Sequence, residues 1–374
     1  MKIQGIARVD RKTKNLVKRL QPGDIAIIDH LDLDEIAAES LVAARVKAVI
    51  NAKSFSSGRY PNLGPRLLAQ HGICLLDQAG EELLNRAVEG KPVRIVDNQV
   101  EDENGVLIAK GIILTEAMIK DQMAKAEANL IPLAAEFIDN TLKFAQREKS
   151  FVLGGVEFPE LDTLIQGRHV VVVVRGHNYR PDLHALHSYI REMRPILVGV
   201  DGGADALMDI GYKPDLIVGD MDSISDEALL SGAELVVHAY TDGKAPGLAR
   251  VLDLGLQAKT VAAPGTSEDV ALLMTYEHGA RLIVAVGTHS NMIDFLEKGR
   301  PGMASTFLVR LKIGSLLVDA RGVSQLYRVR PNHLHLAQVM IAAAIPLVLL
   351  AFMSSPVRQV LRLLLLQVRL AWKR

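Results

Sequence analysis

The stretch GVDGGADALMDIGYKPDLIVGDMDSIS, residues 199–225, places aspartates directly after two apolar runs. Asp201 follows ILVGV, and Asp220 and Asp222 follow DLIVG. Apolar strands without alternation are typical of a parallel sheet that helices cover on both faces. The carboxyl ends of such strands meet at one edge, where ligands bind. We therefore predict an α/β domain whose aspartates line one edge of a parallel sheet.

Carboxylates gathered at one edge repel each other unless a cation joins them. Mg²⁺ suits this role because it takes oxygen ligands, keeps several waters and is completed by substrate phosphates. The predicted metal ligands are Asp201, Asp220, Asp222 and Asp269. For each aspartate the alternative is a helix N-cap. Gly202 and Gly203 allow close backbone approach and leave helix amides for an anion. No spacing of His and Cys in the sequence indicates zinc.

Residues 1–114 alternate predicted strands and helices and indicate a mixed α/β domain. Within it, KPVRIVDNQVEDENGVLIAKGIIL alternates apolar and polar residues as a β-hairpin does. The loop Ser54–Pro65 joins a strand to a helix. It is either an anion site, assisted by Arg59, or an ordinary turn-rich connection. Cys74 is the single cysteine, which fits a reducing compartment, and we predict that it lies in the core.

Residues 115–150 have helical periodicity, interrupted at Pro132. This connector is predicted to pack against its own domains, and self-association into a homo-oligomer is the alternative. It leads into a predicted domain, residues 151–330, that contains the parallel sheet. The 374 residues include 43 basic and 43 acidic side chains, so the overall charge does not favour nucleic acid as a partner.

The C-terminal part carries a membrane signal. Residues 334–353, LHLAQVMIAAAIPLVLLAFM, match the ~20 apolar residues of a transmembrane helix, and the alternative is a buried core helix. Residues 356–374 form a basic amphipathic tail whose Arg358, Arg362, Arg369 and Lys373 share one face, as in an interfacial helix. Because the N-terminus lacks the apolar region of a secretory signal, we expect the globular domains in the cytoplasm. The distribution of basic residues leaves the side of the tail open.

The opening stretch resembles the thiamine pyrophosphokinases, whose pattern is Asp-Gly-Gly-Ala, then Pro-Asp, then Gly-Asp-Phe-Asp-Ser-Ile. Met221 replaces the Phe. The resemblance implies ATP and Mg²⁺ as cofactors, with diphosphate transfer as the activity. It implies catalytic roles for Asp201, Asp222 and Asp269. It implies cofactor-binding roles for Gly202, Gly203, Ser223, Thr266, Ser267 and Asp294. The family's Thr-Asp at a helix start corresponds to Thr266–Asp269, and Asp242 is the competing position.

The segment after Gly287 departs from that family. Members have a Gly-Gly-Arg-x-Asp-His type segment that faces thiamine, whereas this chain has GTHSNMIDFL. Asp294 is kept, but Met292 and Phe295 stand where Arg and His would be. Positioning of the acceptor supplies most of the rate in phosphoryl transfer. Thiamine is therefore not the acceptor that we expect.

Over nearly its full length the chain resembles the SteA-type cytokinetic ring proteins of Gram-positive bacteria. The resemblance rests on GDIAIIDHLDLDEIAAE, SGRYPNLGP, DGKAPGLARV and GTSEDVALL, together with the C-terminal membrane segment. It implies a cytoplasmic body tethered at the division septum beside a septal membrane-protein partner.

Two functions remain open. One is a membrane-anchored cell-division protein with a Mg-nucleotide-binding domain that does not make thiamine diphosphate. The alternative is an active diphosphokinase that moves diphosphate from ATP to an unknown hydroxyl acceptor. A basic tail that senses anionic lipid is compatible with both.

Overall fold

The computed structural model describes residues 2–87, 89–326 and 333–371, and the chain divides into two units between Ser324 and Gln325. The first unit contains two β-sheets and the helical connector between them. The second unit contains two helices. Each unit is described by itself.

The first sheet has eight strands in the order β7-β6-β5-β1-β2-β3-β4-β8. Its strands are β1 Lys2–Asp10, β2 Ile25–Ile28, β3 Ala48–Asn51, β4 Cys74–Asp77, β5 Pro92–Val96, β6 Gln99–Glu101, β7 Leu107–Lys110 and β8 Ile112–Ile113. The helices here are α1 Thr13–Leu16, α2 Glu35–Ala43, α3 Gly64–Gln70 and α4 Glu82–Arg86, and a 3₁₀ turn covers Val17–Arg19.

Strands β1 to β4 pair in parallel, and β5 to β7 form an antiparallel meander against β1. The mixed α/β prediction for this part is confirmed. The predicted hairpin forms between β6 and β7 and gains a further strand, β5, because Asp97 adopts a positive φ of 53° in the β5–β6 turn. Cys74 is buried in β4 and packs in the apolar core.

The connector consists of α5 Glu116–Ala128 and α6 Leu130–Glu148, followed by a 3₁₀ turn at Lys149–Phe151. The two helices break at Asn129, and Pro132 lies in the first turn of α6, where its missing N–H is tolerated. Leu133 and Phe137 on α6 pack in a buried cluster with Phe295 of the second sheet's domain. The connector therefore contributes to the core of its own chain.

The second sheet has seven strands in the order β13-β12-β11-β10-β9-β14-β15, and all adjacent pairs are parallel. The strands are β9 His169–Val173, β10 Ile196–Val200, β11 Leu216–Gly219, β12 Glu234–Ala239, β13 Lys259–Ala262, β14 Leu282–Val286 and β15 Leu317–Asp319. The helices are α7 Tyr179–Ala185, α8 His187–Met193, α9 Gly203–Asp209, α10 Asp226–Leu229, α11 Pro246–Asp253, α12 Ser267–Glu277, α13 Met292–Glu297, α14 Ala304–Ile313 and α15 Val323–Leu326.

The central strands of this sheet carry apolar residues on both faces, and residues of β9, β10 and β11 lie in three separate buried clusters. The predicted parallel sheet is confirmed. After β9 the chain builds β10 to β13 on one side, and it then crosses back to place β14 on the other side of β9. Ligands bind at such a reversal, beyond the carboxyl ends of the strands.

The second unit consists of α16 His333–Met353 and α17 Ser355–Ala371. The apolar segment 334–353 is helical, as predicted. Among the described residues, however, no single helix has both the length and the hydropathy to cross a membrane. A pair of segments, Gln338–Leu350 and Ser355–Leu364, meets both requirements together but is bent by 97° at the break between them. The expectation of one straight transmembrane helix is corrected accordingly, because the apolar run ends at Ser354–Ser355 and the chain turns there. Lys373 lies outside the described residues.

Candidate functional site

Asp201 and Asp220 form a carboxyl pair at the carboxyl edge of the second sheet. The parallel register aligns Val200 with Val218, so Asp201, which follows the end of β10, lies level with Gly219, and Asp220 follows one residue further along. The Asp201 backbone is left-handed, with φ 46°, and its Oδ1 accepts a hydrogen bond of 3.1 Å from Met221 N. A Cβ on Gly219 would lie 2.0 Å from this oxygen, so glycine makes room for the carboxylate.

The electrostatics of this pair are unfavourable without a cation. Burial, and then the charge of Asp220, raise the pKa of Asp201 to about 7. Two carboxylates that share a site cannot both ionise at ordinary cost. A hard cation relieves that repulsion and needs only one or two carboxylates when phosphates complete its shell. Asp201 and Asp220 therefore fit Mg²⁺ by donor type.

The loop after β11 carries the other predicted residues of this motif. Met221 is buried with a positive φ of 64°, and Asp222 N donates to Asp220 Oδ1 at 2.9 Å. The side chains of Asp222 and Ser223 are exposed. The loop therefore holds its apolar residue inward and presents Asp222 and Ser223 to solvent.

Arg250 on α11 stabilises this loop through hydrogen bonds to its backbone. Its guanidinium donates to the carbonyl oxygens of Met221, at 2.5 Å, and Ile224, at 2.9 Å, and it pairs with Asp226. Sequence reasoning did not single out Arg250, although it lies in the quoted segment DGKAPGLARV. The signal was weak because an arginine on a helix is usually a solvated side chain.

Asp269 has a different environment from the other aspartates. It is fully buried, and its Oδ2 accepts hydrogen bonds from the hydroxyls of Thr266, Ser305 and Thr306. With Thr266 it forms the capping box of α12. Burial, and then the charge of Glu268, raise its pKa. In this capping box Thr266 is the N-cap and Asp269 is the third helical residue, so Asp269 helps to cap α12 without being its N-cap.

The structure brings Asp201 and Asp220 together but does not assemble the predicted four-aspartate set. Over residues 2–87, 89–326 and 333–371, no group of three or more His, Cys, Asp or Glu side chains is arranged to hold a metal ion. The physical reason is that Asp222 is exposed to solvent and that Asp269 is buried at the start of α12, where three hydroxyls donate to its Oδ2 and its Oδ1 has no partner among the described residues.

A polar network lies beside the pair, on β12, at the start of α12 and on the segment that follows β14. Ser267 Oγ lies 3.1 Å from His238 Nδ1, and His238 Nε2 lies 2.9 Å from a carbonyl oxygen. Burial lowers the pKa of His238. Glu268 Oε2 lies 2.7 Å from His289 Nδ1, and both side chains are buried. Sequence reasoning named Ser267 but neither histidine.

The predicted phosphate-binding glycines begin α9. Among the described residues, no side chain caps α9 at Gly202. A Cβ on Gly202 would lie 2.8 Å from Arg175 Cδ, so the arginine lies across the start of this helix. A Cβ on Gly203 would lie 1.9 Å from Val173 O, so this glycine lets α9 pack against the end of β9.

The side chains after Gly287 have partners within the chain. Thr288 accepts from Arg310, and Asn291 caps α13. Asp294 pairs with Arg321, which lowers the pKa of Asp294 although burial opposes this shift. Phe295 and Leu296 are buried against Tyr60 and α6. Asp294, which was predicted to bind a cofactor, is therefore already paired with Arg321 inside the chain.

The loop Ser54–Pro65 contacts the second sheet's domain through Tyr60. Within the loop, Phe55 N donates to Asp77 Oδ1 at 2.7 Å, and Ser57 N donates to Asp32 Oδ1 at 2.5 Å. Carboxylates at these amides repel an anion, and the arrangement is that of a turn-rich connection.

A separate cavity of about 500 Å³, lined by residues that include Phe151, Gln166 and His278, does not contain the predicted site residues.

The domain belongs to the α/β class, and its parallel sheet carries the aspartate pair Asp201 and Asp220 just beyond the C-terminal ends of two strands. Two family models match the chain: "Thiamin pyrophosphokinase, catalytic domain" over residues 187–242, and "SteA-like C-terminal domain" over residues 321–372. The resemblances to both families stated from the sequence are thereby confirmed over these residues. The first match includes Asp201, Asp220 and Asp222 and ends before Thr266, Asp269 and Asp294.

Similar solved structures include thiamine pyrophosphokinase from Bacillus subtilis, at 22% identity and a TM-score of 0.26, with 41% of this chain and 61% of that one covered. A probable thiamine pyrophosphokinase from Staphylococcus saprophyticus is 16% identical, with a TM-score of 0.24, and 41% of this chain and 65% of that one are covered. The 3-isopropylmalate dehydratase (leuD) from Methanocaldococcus jannaschii is 13% identical, with a TM-score of 0.23, and 33% of this chain and 89% of that one are covered. The chain thus spans about three fifths of the Bacillus enzyme's length. A comparison with curated proteins found no match.

Proposed function

We propose that this chain is a membrane-anchored cell-division protein whose thiamine pyrophosphokinase-like domain binds a nucleotide with Mg²⁺ and does not make thiamine diphosphate. The two family matches support the combination of a nucleotide-binding domain with a septal C-terminal module. Asp201 and Asp220 would hold the cation, and Asp222 and Ser223 lie exposed beside them. The cation would neutralise the charge of the bound phosphates.

One observation carries the proposal. The segment after Gly287, where the family reads its acceptor, is occupied by the chain's own packing. A transferase must hold the acceptor hydroxyl in line with the phosphate. A segment whose polar groups are already paired and whose aromatic ring is buried offers few groups for that task. Binding without transfer to thiamine is the function that remains.

Calorimetry of the full-length chain tests the binding step. We expect heat from ATP or another nucleoside triphosphate in the presence of Mg²⁺, no heat from thiamine, and weaker nucleotide binding in Asp220→Asn. The matched control is Asp253→Asn, which changes a solvent-exposed aspartate at the end of α11. A chain that binds no nucleotide with Mg²⁺ would contradict the proposal.

The alternative function, transfer of diphosphate from ATP to an unknown hydroxyl, has a distinct signature. Its support is the retained Asp201, Asp220 and Asp222. Mg²⁺, ATP and a cell extract would then give AMP and a diphosphorylated product, and Asp222→Ala would abolish both. AMP release that is unchanged in this variant would exclude the alternative.

Membrane anchoring and septal localisation are the second half of the proposal. The bent pair of apolar segments has the length and composition for membrane insertion, and α17 carries Arg362 on its exposed surface. We expect the intact chain to float with liposomes and a fluorescent fusion to gather at midcell, on the cytoplasmic membrane beside a septal partner. Deleting residues 334–374 should disperse the fusion. Uniform cytoplasmic fluorescence from the intact chain would contradict this half of the proposal.

A further inference from the structure

The reversal of strand order defines where a ligand's phosphates would meet basic side chains. The loops after β9 and β14 border the crevice at this reversal. Arg175 follows β9 and lies across Gly202 at the start of α9. Lys298 ends α13, in the segment that follows β14. Two basic residues therefore border the crevice next to Asp201.

Lys298 lacks the partner that a lysine in a protein cleft usually has. Among the described residues it makes no ion pair with a carboxylate, and its Nζ has one close polar neighbour, His289 Nδ1 at 3.2 Å. That nitrogen is closer to Glu268 Oε2, at 2.7 Å. If Nδ1 donates its proton to Glu268, it has no lone pair to accept from Lys298. The ammonium hydrogens then stay available to a ligand.

The electrostatic surroundings of Lys298 suit an anion that arrives with a cation. Burial lowers the pKa of Lys298, while Glu268, Asp294 and Asp201 act in the opposite direction. Arg300 is also close enough to act on both Lys298 and His238. Lys298 is exposed as a residue, so its ammonium can be reached by a ligand, and without a paired carboxylate among the described residues it needs a compensating negative charge. A phosphate oxygen would supply it.

We propose that Lys298, with Arg175 and Arg300 beside it, binds the phosphate oxygens of a di- or triphosphate whose Mg²⁺ is held by Asp201 and Asp220. The inference rests on the proposed function and adds the anion-binding side of the same site. Lys298 lies six residues after Met292 and three after Phe295, which stand where the thiamine pyrophosphokinases have Arg and His. The same segment thus supplies a basic group from its other end.

A diphosphate unit fits this arrangement better than a single phosphate does. Oxygens on one phosphorus can join the cation at the carboxyl pair, while oxygens on the next accept hydrogen bonds from Lys298. Hydrogen bonds to charged groups are the strong ones, and each contributes about 1.5–3 kcal/mol in proteins. Loss of the ammonium should therefore weaken diphosphate binding by about tenfold to a hundredfold.

Calorimetry with inorganic pyrophosphate and Mg²⁺ on the full-length chain tests the inference. Lys298→Met keeps the length of the side chain and removes the charge, so we expect about tenfold weaker binding or worse. Lys298→Arg keeps the charge and should retain affinity within a few fold. Lys213→Met is the matched control, because Lys213 is exposed just before β11, at the opposite edge of the sheet. Thermal unfolding of each variant reports whether it folds.

The outcomes separate this inference from the function on which it rests. If the unchanged chain binds Mg-pyrophosphate and Lys298→Met binds it equally well, the role of Lys298 is overturned and the proposed function stands. If Lys298→Arg loses as much affinity as Lys298→Met, the charge is not what the ligand needs, and the inference is also overturned. If the unchanged chain binds neither Mg-pyrophosphate nor Mg-ATP, both proposals are overturned together.

Discussion

Asp201 places a carboxyl group where burial and a neighbouring carboxylate both oppose ionisation. Its pKa is about 7 in the folded chain, against 3.8 for an ordinary aspartate. The folded chain therefore holds a proton that the unfolded chain releases, and stability falls as the pH rises from about 4 to about 7. This dependence is expected when no cation is bound, and a bound cation would reduce it.

We predict that Asp201→Asn stabilises the Mg²⁺-free chain at pH 8 and has little effect at pH 4. The amide keeps an acceptor for Met221 N and removes the repulsion from Asp220. A gain of about 1–2 kcal/mol is expected, below the ~4 kcal/mol that a three-unit pKa shift equals in full. Thermal unfolding at the two pH values measures it. The exposed Asp222→Asn should change stability at neither pH, and a gain from Asp201→Asn of the same size at both would refute the electrostatic explanation.

At the residue scale the sequence predicted the aspartates that follow strands and missed their partners. Asp201 and Asp220 were found because an apolar run ending in a carboxylate is visible in a short window. His289 and Glu268 lie 21 residues apart, and Arg250 reaches back 29 residues to Met221. Such pairs depend on which strands become neighbours. The enclosure of Asp269 depends on Ser305 and Thr306, which α14 brings to it from 36 and 37 residues away.

The loop from Asp220 to Ser225 depends on α11 for its shape. Arg250 donates to two of its carbonyl oxygens, and a Cβ on Gly247 would lie 2.0 Å from Asp220 O. The helix α11 connects β12 to β13, and this connection places it beside the loop. The helix α11 thereby positions the predicted metal ligands of this loop, although it supplies no ligand itself.

We predict that Arg250→Met loosens this loop while the sheet stays intact. Hydrogen exchange of the amides from Met221 to Ser225 should speed up by at least about tenfold, because two charged hydrogen bonds to the backbone are lost. Mg-nucleotide affinity should fall in parallel. Arg250→Lys should restore little, since lysine cannot donate to two carbonyls from a planar group. Arg191→Met changes an exposed arginine on α8 and serves as the control. Unchanged exchange in Arg250→Met would show that the loop holds its shape without the clamp.

At the element scale the hydrophobic pattern was sufficient to predict the strands of the second sheet, but it did not predict where the helices break. The fully apolar β10 and β11 were predicted from composition alone. The connector breaks at Asn129 and not at Pro132, because proline is compatible with the first turn of a helix. The C-terminal segment is helical as predicted, but its bend at Ser354–Ser355 depends on backbone geometry that hydropathy does not report.

At the scale of the whole first unit, the N-terminal domain packs against the segment after β14. Tyr60 is buried with Phe295 and Leu296, and His177 Nδ1 lies 2.6 Å from Glu35 Oε2. No local sequence pattern predicts this contact, since it joins residues more than 140 positions apart. The apolar part of the contact, Tyr60 against Phe295 and Leu296, lies in the segment after Gly287.

Glu297 makes this contact sensitive to pH. Burial first, and then the charges of Asp34, Asp294 and Glu35, raise its pKa to about 8, and Arg321 acts in the opposite direction. The folded chain thus favours a neutral Glu297, and the stability that this provides is full below about pH 4.5 and is lost as the pH rises through about 8. Above that value the ionised group faces Asp34 and Glu35 across the contact between the two domains.

We predict that Glu297→Gln protects the contact between the domains at alkaline pH. The amide stays neutral, so the variant should be more stable than the unchanged chain by about 1–2 kcal/mol at pH 9 and nearly equal to it at pH 5. Hydrogen exchange in α2 and α13 should rise from pH 7 to pH 9, beyond the intrinsic pH effect, in the unchanged chain and not in the variant. Glu136→Gln, on the exposed face of α6, should show neither effect. If both glutamine variants respond to pH like the unchanged chain, ionisation of Glu297 does not control the contact, and apolar packing around Tyr60 and Phe295 alone holds the two domains together.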